Sequence, residues 1–197
     1  MNEGEQISAY LYASMIPVMQ TINDSVLMAK IALAGDWLAS PIFHGNKLIC
    51  IGNGGSMADA SHFASELTGK YRFVRPSYAA VVPDVTHITC VGNDFGYDYV
   101  FSRYVDGVGR PGDTLLALST SGESRNIIKA IDTANEKDMR VVFITGARSN
   151  MMVRDGKVLH IRLPSGVTNH VQELTMQLLH VLVELIEQKL KDKDNDH

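Results

Sequence analysis

The 197-residue chain has only two cysteines, and neither Cys50 nor Cys90 belongs to a CxxC pair. Both lie in short apolar runs, residues 48–51 and 88–91, and read as buried thiols of a reducing compartment rather than as a disulfide. There is no cluster of lysine or arginine, and the net charge is −4. Neither nucleic acid nor an anionic membrane is therefore an expected partner, since each would want a basic face. No apolar run approaches the length of a membrane span. The acidic start, Met-Asn-Glu-Gly-Glu-Gln, lacks the pattern of a signal peptide, so a cytoplasmic protein is expected. Repeats and low-complexity segments are also missing.

What remains is ordinary globular material. Hydrophobic residues make up 45% and charged residues 20%, enough to bury a full core in one domain of 1–197. Residues 1–40 read as N-terminal helices, with Leu11, Met15, Met19, Ile22 and Val26 recurring every three or four positions and a break with an N-cap at Asn23-Asp24-Ser25. These helices, and the last one, carry more apolar residues than one contact needs, which points to packing between subunits.

From Lys47 the pattern changes to short apolar runs alternating with helical stretches. Strands are expected at 48–51, 78–82, 114–118, 141–145 and 158–163. Helices are expected at 57–68, after Asp84, at 97–108, 124–137 and 168–191, with a charged, disordered tail at 192–197. Uniformly apolar strands separated by helices imply a doubly wound α/β core over 47–191, a five-stranded parallel sheet of flavodoxin-like type. In such sheets ligands bind beyond the carboxyl ends of the strands, at the switch point.

Two of the loops there are unusual. Gly52-Asn53-Gly54-Gly55-Ser56 follows a strand and opens a helix, so its backbone N–H groups are free to approach an anion. Met57 departs from a dinucleotide fingerprint, and no Gly-Lys-Ser/Thr follows to make a P-loop. Ser119-Thr120-Ser121-Gly122-Glu123-Ser124 repeats the arrangement with four hydroxyls, more than capping needs, and suits a phosphate monoester. His62 and Glu66 share a helix face at i, i+4, which taken alone describes a solvated surface pair. His180 lies among Leu178, Leu179, Val181 and Leu182, where a satisfied core histidine is the ordinary reading, although a buried, oriented imidazole also suits proton transfer. Asn93-Asp94 reads as a turn.

Together these residues resemble the SIS (sugar isomerase) family, and within it the phosphoheptose isomerases. The resemblance is carried by Gly52-Asn53-Gly54-Gly55-Ser56, by Ser61-His62-Phe63-Ala64-Ser65-Glu66-Leu67-Thr68-Gly69 and by Val91-Gly92-Asn93-Asp94-Phe95-Gly96. Phe101-Ser102-Arg103-Tyr104, the hydroxyl loop, Val171-Gln172-Glu173 and His180 complete it. It implies conversion of sedoheptulose 7-phosphate to D-glycero-D-manno-heptose 7-phosphate through an enediol, a first step toward the heptose of lipopolysaccharide core or related glycans. It implies proton transfer by Glu66 and His180. It implies substrate contacts from Asn53, Gly54, Gly55, Ser56, Glu66, Asn93, Asp94, Ser119, Thr120, Ser121, Ser124 and Gln172. It further implies one zinc per subunit, held by His62, Glu66, Gln172 and His180, and a homotetramer with sites at subunit interfaces.

The chain departs from the family at Lys70, where an arginine is frequent, and at Asn169, where an aspartate is frequent, which bears on the choice of heptose. The competing expectation is a non-catalytic SIS-domain binding protein of the replication-initiator-associating type. The presence of Glu66 and His180 argues for an enzyme instead.

Overall fold

The computed structural model describes residues 1–150 and 156–195, with side chains described through residue 191. Helices α1 (Glu3–Asn23) and α2 (Ser25–Phe43) break where expected. Asp24 supplies the cap: its Oδ1 accepts from the Val26 and Leu27 N–H groups at 3.0 and 2.9 Å. The α/β core then runs β1 (Leu48–Gly52), α3 (Gly55–Thr68), β2 (Ala80–Val81), α4 (Val85–Asp94), a 3-10 turn (Tyr97–Tyr99) and α5 (Val100–Val108). It continues through β3 (Thr114–Ser119), α6 (Arg125–Glu136), β4 (Arg140–Thr145), β5 (Val158–Arg162) and α7 (Thr168–Asn195).

All strand pairs are parallel and the order is β2-β1-β3-β4-β5, the doubly wound flavodoxin-like arrangement. Successive side chains leave a strand on opposite faces. Leu48, Cys50, Leu116, Leu118, Val142 and Ile144 therefore pack under α2, α3 and α7. Ile49, Ile51, Leu115, Ala117, Val141 and Phe143 pack under α4, α5 and α6. Both faces are covered, which is why the strands read as unbroken apolar runs. The chain leaves β1 into α3 on one face and β3 into α6 on the other, so the carboxyl ends of these adjacent strands form the switch point.

Several local readings are corrected. The second strand shrinks from 78–82 to Ala80–Val81, an edge strand paired only at Leu48 and Ile49; Pro76 and Pro83 flank it and have no N–H to donate. The helix expected over 97–108 begins as a 3-10 turn. Asn93 and Asp94 are the last residues of α4, not a turn. Cys50 is buried, its thiol pushed up to about 12 by burial, but Cys90 is exposed, because its apolar run is helical and only Val91 of α4 turns inward. The expected absence of a span-length apolar segment is amended too. By length and composition α2 is apolar enough to cross a membrane, yet its Leu27, Ile31, Ala34 and Leu38 belong to the core. Finally, α7 continues to Asn195, so the tail expected from 192 is helical that far; residues 196–197 lie outside the described residues.

Candidate active site

The two loops at the switch point are stapled together by an amide pair. Asn53 Nδ2 donates to Asn126 Oδ1, and Asn126 Nδ2 donates back to Asn53 Oδ1, both at 2.9 Å. Asn126 is buried at the start of α6, and Tyr97 adds its hydroxyl to Asn53 Oδ1 at 2.8 Å. The Asn53 side chain thus builds the crevice, and its remaining amide hydrogen and the neighbouring backbone are what it offers a ligand. Gly54 and Gly55 are exposed beside it, while Ser56 is buried in the first turn of α3.

The hydroxyl loop is held by its own serines and by the Gly146 N–H, which donates to the Thr120 carbonyl at 3.1 Å. Gly122 sits at φ +72°, where a side chain is strained and a Cβ would overlap Ser149. Its N–H donates to Ser119 Oγ at 3.1 Å, and the Glu123 N–H donates to Ser121 Oγ at 3.2 Å. Ser124 is the N-cap residue of α6, yet its side chain makes no capping bond. Its Oγ, 3.4 Å from Ser119 Oγ, stays beside the helix N-terminus, where a phosphate is favoured. Ser121 is exposed, Thr120 and Ser124 are half-buried, and Ser119 is buried at the strand end.

The residues able to move protons meet in the seam between α3 and α7. The two helices advance side by side, with Gly55 facing Gln172 and His62 facing His180. A methyl at Gly55 would overlap the Gln172 amide, which would have to swing away from its present place. Seven residues on, about 10 Å of helical rise, His62 Nε2 lies 3.0 Å from His180 Nε2 and 3.4 Å from Glu66 Oε1. Ligand atoms of His62, Glu66 and His180 all fall within 4.8 Å of one another. The pair read as a surface ion pair is therefore one side of a converging triad, and the expected core histidine is its third member.

The triad is braced by residues that local pattern does not mark. Tyr71 stacks on His180, with centroids 5.7 Å apart and planes 16° apart. Arg75, half-buried in the coil after α3, donates to the carbonyls of Glu66 and Leu67 at 2.8 Å each and to Glu187 Oε1 at 2.7 Å, and it stacks on Tyr78. The backbone of Glu66 is thereby fastened to α7 by a charged group with its donors used. Asn93 and Asp94 stand exposed at the end of α4, bonded to each other at 2.8 Å, three residues before the Tyr97 that reaches Asn53. At the start of α7, Asn169 donates to the Tyr10 hydroxyl, which donates to Glu173 Oε1 at 2.6 Å, tying α1 to the seam. Asp59, one turn before His62, was also passed over.

These donors suit a transition-metal cation. Tetrahedral zinc, with bonds of about 2.0–2.1 Å, sets neighbouring donors roughly 3.3 Å apart, close to the 3.0 and 3.4 Å found. Two imidazoles and one carboxylate favour zinc over magnesium or calcium, which want oxygen. Grooves of about 340 Å³, lined by His44, Asn46, Arg140 and Lys157, and of about 620 Å³, lined by Phe73, Val74 and Glu187, lie elsewhere on the chain. The case for the crevice rests on its converging donors, not on its depth.

Comparison with known proteins agrees with this geometry. Residues 11–146 match the family model described as SIS domain. The chain is 48% identical over 171 residues to the phosphoheptose isomerase of Enterobacter sp. (strain 638), covering 86% of this chain and 88% of that one. It is 49% identical, with the same coverage, to the phosphoheptose isomerase of Serratia proteamaculans (strain 568). Among solved structures, the phosphoheptose isomerase of Neisseria gonorrhoeae superposes with a TM-score of 0.87 at 33% identity, over 95% of this chain and all of that one. That of Francisella tularensis gives 0.85 at 32%, with the same coverage.

Proposed function

The chain belongs to the SIS-domain family, within the phosphoheptose isomerases, and from that membership we propose that it interconverts sedoheptulose 7-phosphate and D-glycero-D-manno-heptose 7-phosphate. The observation that supports the reading is the convergence of His62, Glu66 and His180, whose ligand atoms lie within 4.8 Å of one another. An aldose–ketose isomerase needs a carboxylate base, a second acid/base group and polarisation of the carbonyl. The Glu66 carboxylate takes the proton from C1 of the ketose, giving the enediol, and returns it at C2 to leave the aldehyde at C1. His180 moves the proton between the two oxygens. Ser119, Thr120, Ser121 and Ser124 hold the phosphate with the first N–H groups of α6. Gly54, Gly55, Asn93, Asp94 and Gln172 hold the rest of the sugar, with Asn53 shaping their crevice.

A zinc ion would be held by His62, Glu66 and His180; Gln172, expected as a fourth ligand, instead faces Gly55, about 10 Å away along the seam. Bound there, it supplies Lewis-acid polarisation of the carbonyl. A homotetramer is supported by α1, where Leu11, Met15, Ile16, Met19 and Ile22 are all more than half exposed and form an apolar face that a partner subunit would cover. Two free thiols suit the cytoplasm. The non-catalytic alternative is not favoured, because the relatives at 48–49% identity are isomerases and the acid and the histidine are both kept.

The test is incubation with sedoheptulose 7-phosphate in deuterated water, with zinc supplied or removed by a chelator. Aldose should form, with solvent deuterium at C2 to the extent that exchange outpaces transfer. Light scattering on the same sample should give four subunits. No conversion at any metal loading would sink the isomerase reading, and a fully active monomer would sink the tetramer.

A further inference from the structure

Gly55, Asp59, His62 and Glu66 are spaced i, i+4, i+7 and i+11 along α3, a single stripe of a 3.6-residue helix. The neighbouring stripe, Ser56, Ala60, Phe63, Ala64 and Leu67, is buried. The polar stripe is the one that faces α7, since Gly55 meets Gln172 and His62 meets His180. Of its members only Asp59 has no part in the site as described.

Its surroundings are unusual for a carboxylate. Asp59 Oδ2 is enclosed and has no hydrogen-bond partner among the described residues. Burial raises its carboxyl above the usual range, and the nearby His62 works in the opposite direction. His62 does not serve as its donor, because the Nε2 of that ring is turned to His180 and Glu66 and no bond joins it to Asp59. Asp59 is also outside the group of converging ligand atoms. An enclosed acceptor without a donor destabilises the free chain, and such atoms are rare unless something else brings the donor. Here the stripe runs from the glycine loop to Glu66. On the isomerase reading, a sugar with its phosphate at the switch point and its reacting carbons at Glu66 would bring its middle carbons, which carry hydroxyl donors, past Asp59.

We propose that Asp59 is a substrate-contacting residue of the isomerase, its Oδ2 accepting a hydroxyl from the middle of the heptose chain. The inference rests on the isomerase reading and deepens it. Asp59 fixes where the chain lies in the seam and so selects for a hydroxyl at that carbon. A buried acceptor paired to a substrate hydroxyl is a strong discriminator, because an analogue lacking that hydroxyl leaves the carboxylate unpaired again.

The experiment compares wild type, Asp59→Asn and Asp59→Ala in steady-state conversion of sedoheptulose 7-phosphate, together with thermal midpoint and light scattering. Both variants should lose at least tenfold in kcat/KM, with Asp59→Ala the worse. Their midpoints should equal or exceed that of wild type, because an orphan carboxylate has been removed. Inhibition by inorganic phosphate should be unchanged. Variants within twofold of wild type in kcat/KM would overturn the inference. So would a lowered midpoint with normal kinetics of the folded enzyme, which marks a structural tie, or a changed oligomer mass, which marks a donor in a second copy. An inactive wild type defeats the isomerase reading and this inference with it; an active wild type with unaffected variants defeats this inference alone.

Discussion

The hydroxyl loop after β3 and the seam between α3 and α7 are both polar, but they are made in opposite ways. The loop draws on six consecutive residues, and its serine hydroxyls bond no more than five positions away, as in Gly122 N–H to Ser119 Oγ. The seam joins side chains 118 positions apart, and nothing in either helix alone would bring His62 to His180. The loop offers backbone N–H groups and hydroxyls, which bind charge without moving protons at neutral pH. The seam offers a carboxylate and two imidazoles, which do move protons. On the proposed function the difference separates binding from chemistry: one region would recognise the phosphate common to many sugars, and the other would act on the carbons at its far end.

The sharpest way to break that division is to disable the seam. Glu66→Gln keeps the shape of the side chain and Arg75's hold on the Glu66 carbonyl, so the protein should fold with its thermal midpoint little changed. Its kcat should nevertheless fall by about 10²-fold or more, the scale of a lost positioned acid or base. His180→Ala should do the same and should also loosen Tyr71, which stacks on that ring. An unchanged kcat in the Glu66 variant removes it from the mechanism.

The loop should respond differently. Ser121→Ala and Ser124→Ala each remove a hydroxyl from the charged phosphate, worth roughly 1.5–3 kcal/mol, and should raise KM while leaving kcat nearly alone. Calorimetry with the sugar phosphate and with its dephosphorylated form separates the cases: only the first should weaken. Normal binding of the phosphate ester by both variants would reduce the loop to a helix cap, and a fall in kcat with KM unchanged would blur the division between the two regions.

How much of this was legible from sequence follows the same line. The hydroxyl loop, the glycine loop and the Asp24 cap are contiguous motifs, and their positions could be read directly. Unbroken apolar strands gave the parallel sheet, because both faces are buried. The seam was not legible from periodicity. His62–Glu66 looked like a surface pair and His180 like a core residue, since only the side-by-side course of α3 and α7 makes them neighbours. Resemblance to relatives supplied their roles where pattern could not. Arg75 escaped both readings: it lies in a coil segment between α3 and β2 and becomes structural only when α7 arrives to receive it through Glu187. Asn126 escaped because its partner, Asn53, is on the next strand's loop. Cys90 was misjudged because a four-residue apolar run was read as inward-facing throughout, whereas a helix turns most of such a run outward.

The smallest expected effect concerns a second histidine, whose ring lies on the face of the sheet opposite α7 and His180. His160 lies on β5, stacked on Phe143 at 5.2 Å, with its Nε2 2.8 Å from Thr145 Oγ1. Burial, helped by the positive charges of Arg162 and Lys30, lowers its pKa from 6.5 to about 4. It is a neutral structural ring, unavailable for proton transfer near pH 7. When the chain unfolds, His160 regains its ordinary affinity for a proton. Between pH 6.5 and about 4 the unfolded chain therefore binds more protons at this residue than the folded one. The stability it contributes is complete above pH 6.5 and drains away as the pH falls toward 4. The ring is only half-buried, so solvent screens part of the effect and the loss should be modest. Urea midpoints measured from pH 7 to pH 4.5 should fall further for wild type than for His160→Gln, which carries no titrating ring, while kcat at pH 7 stays close to wild type. Parallel midpoint curves for the two proteins would show that His160 charges freely in the fold.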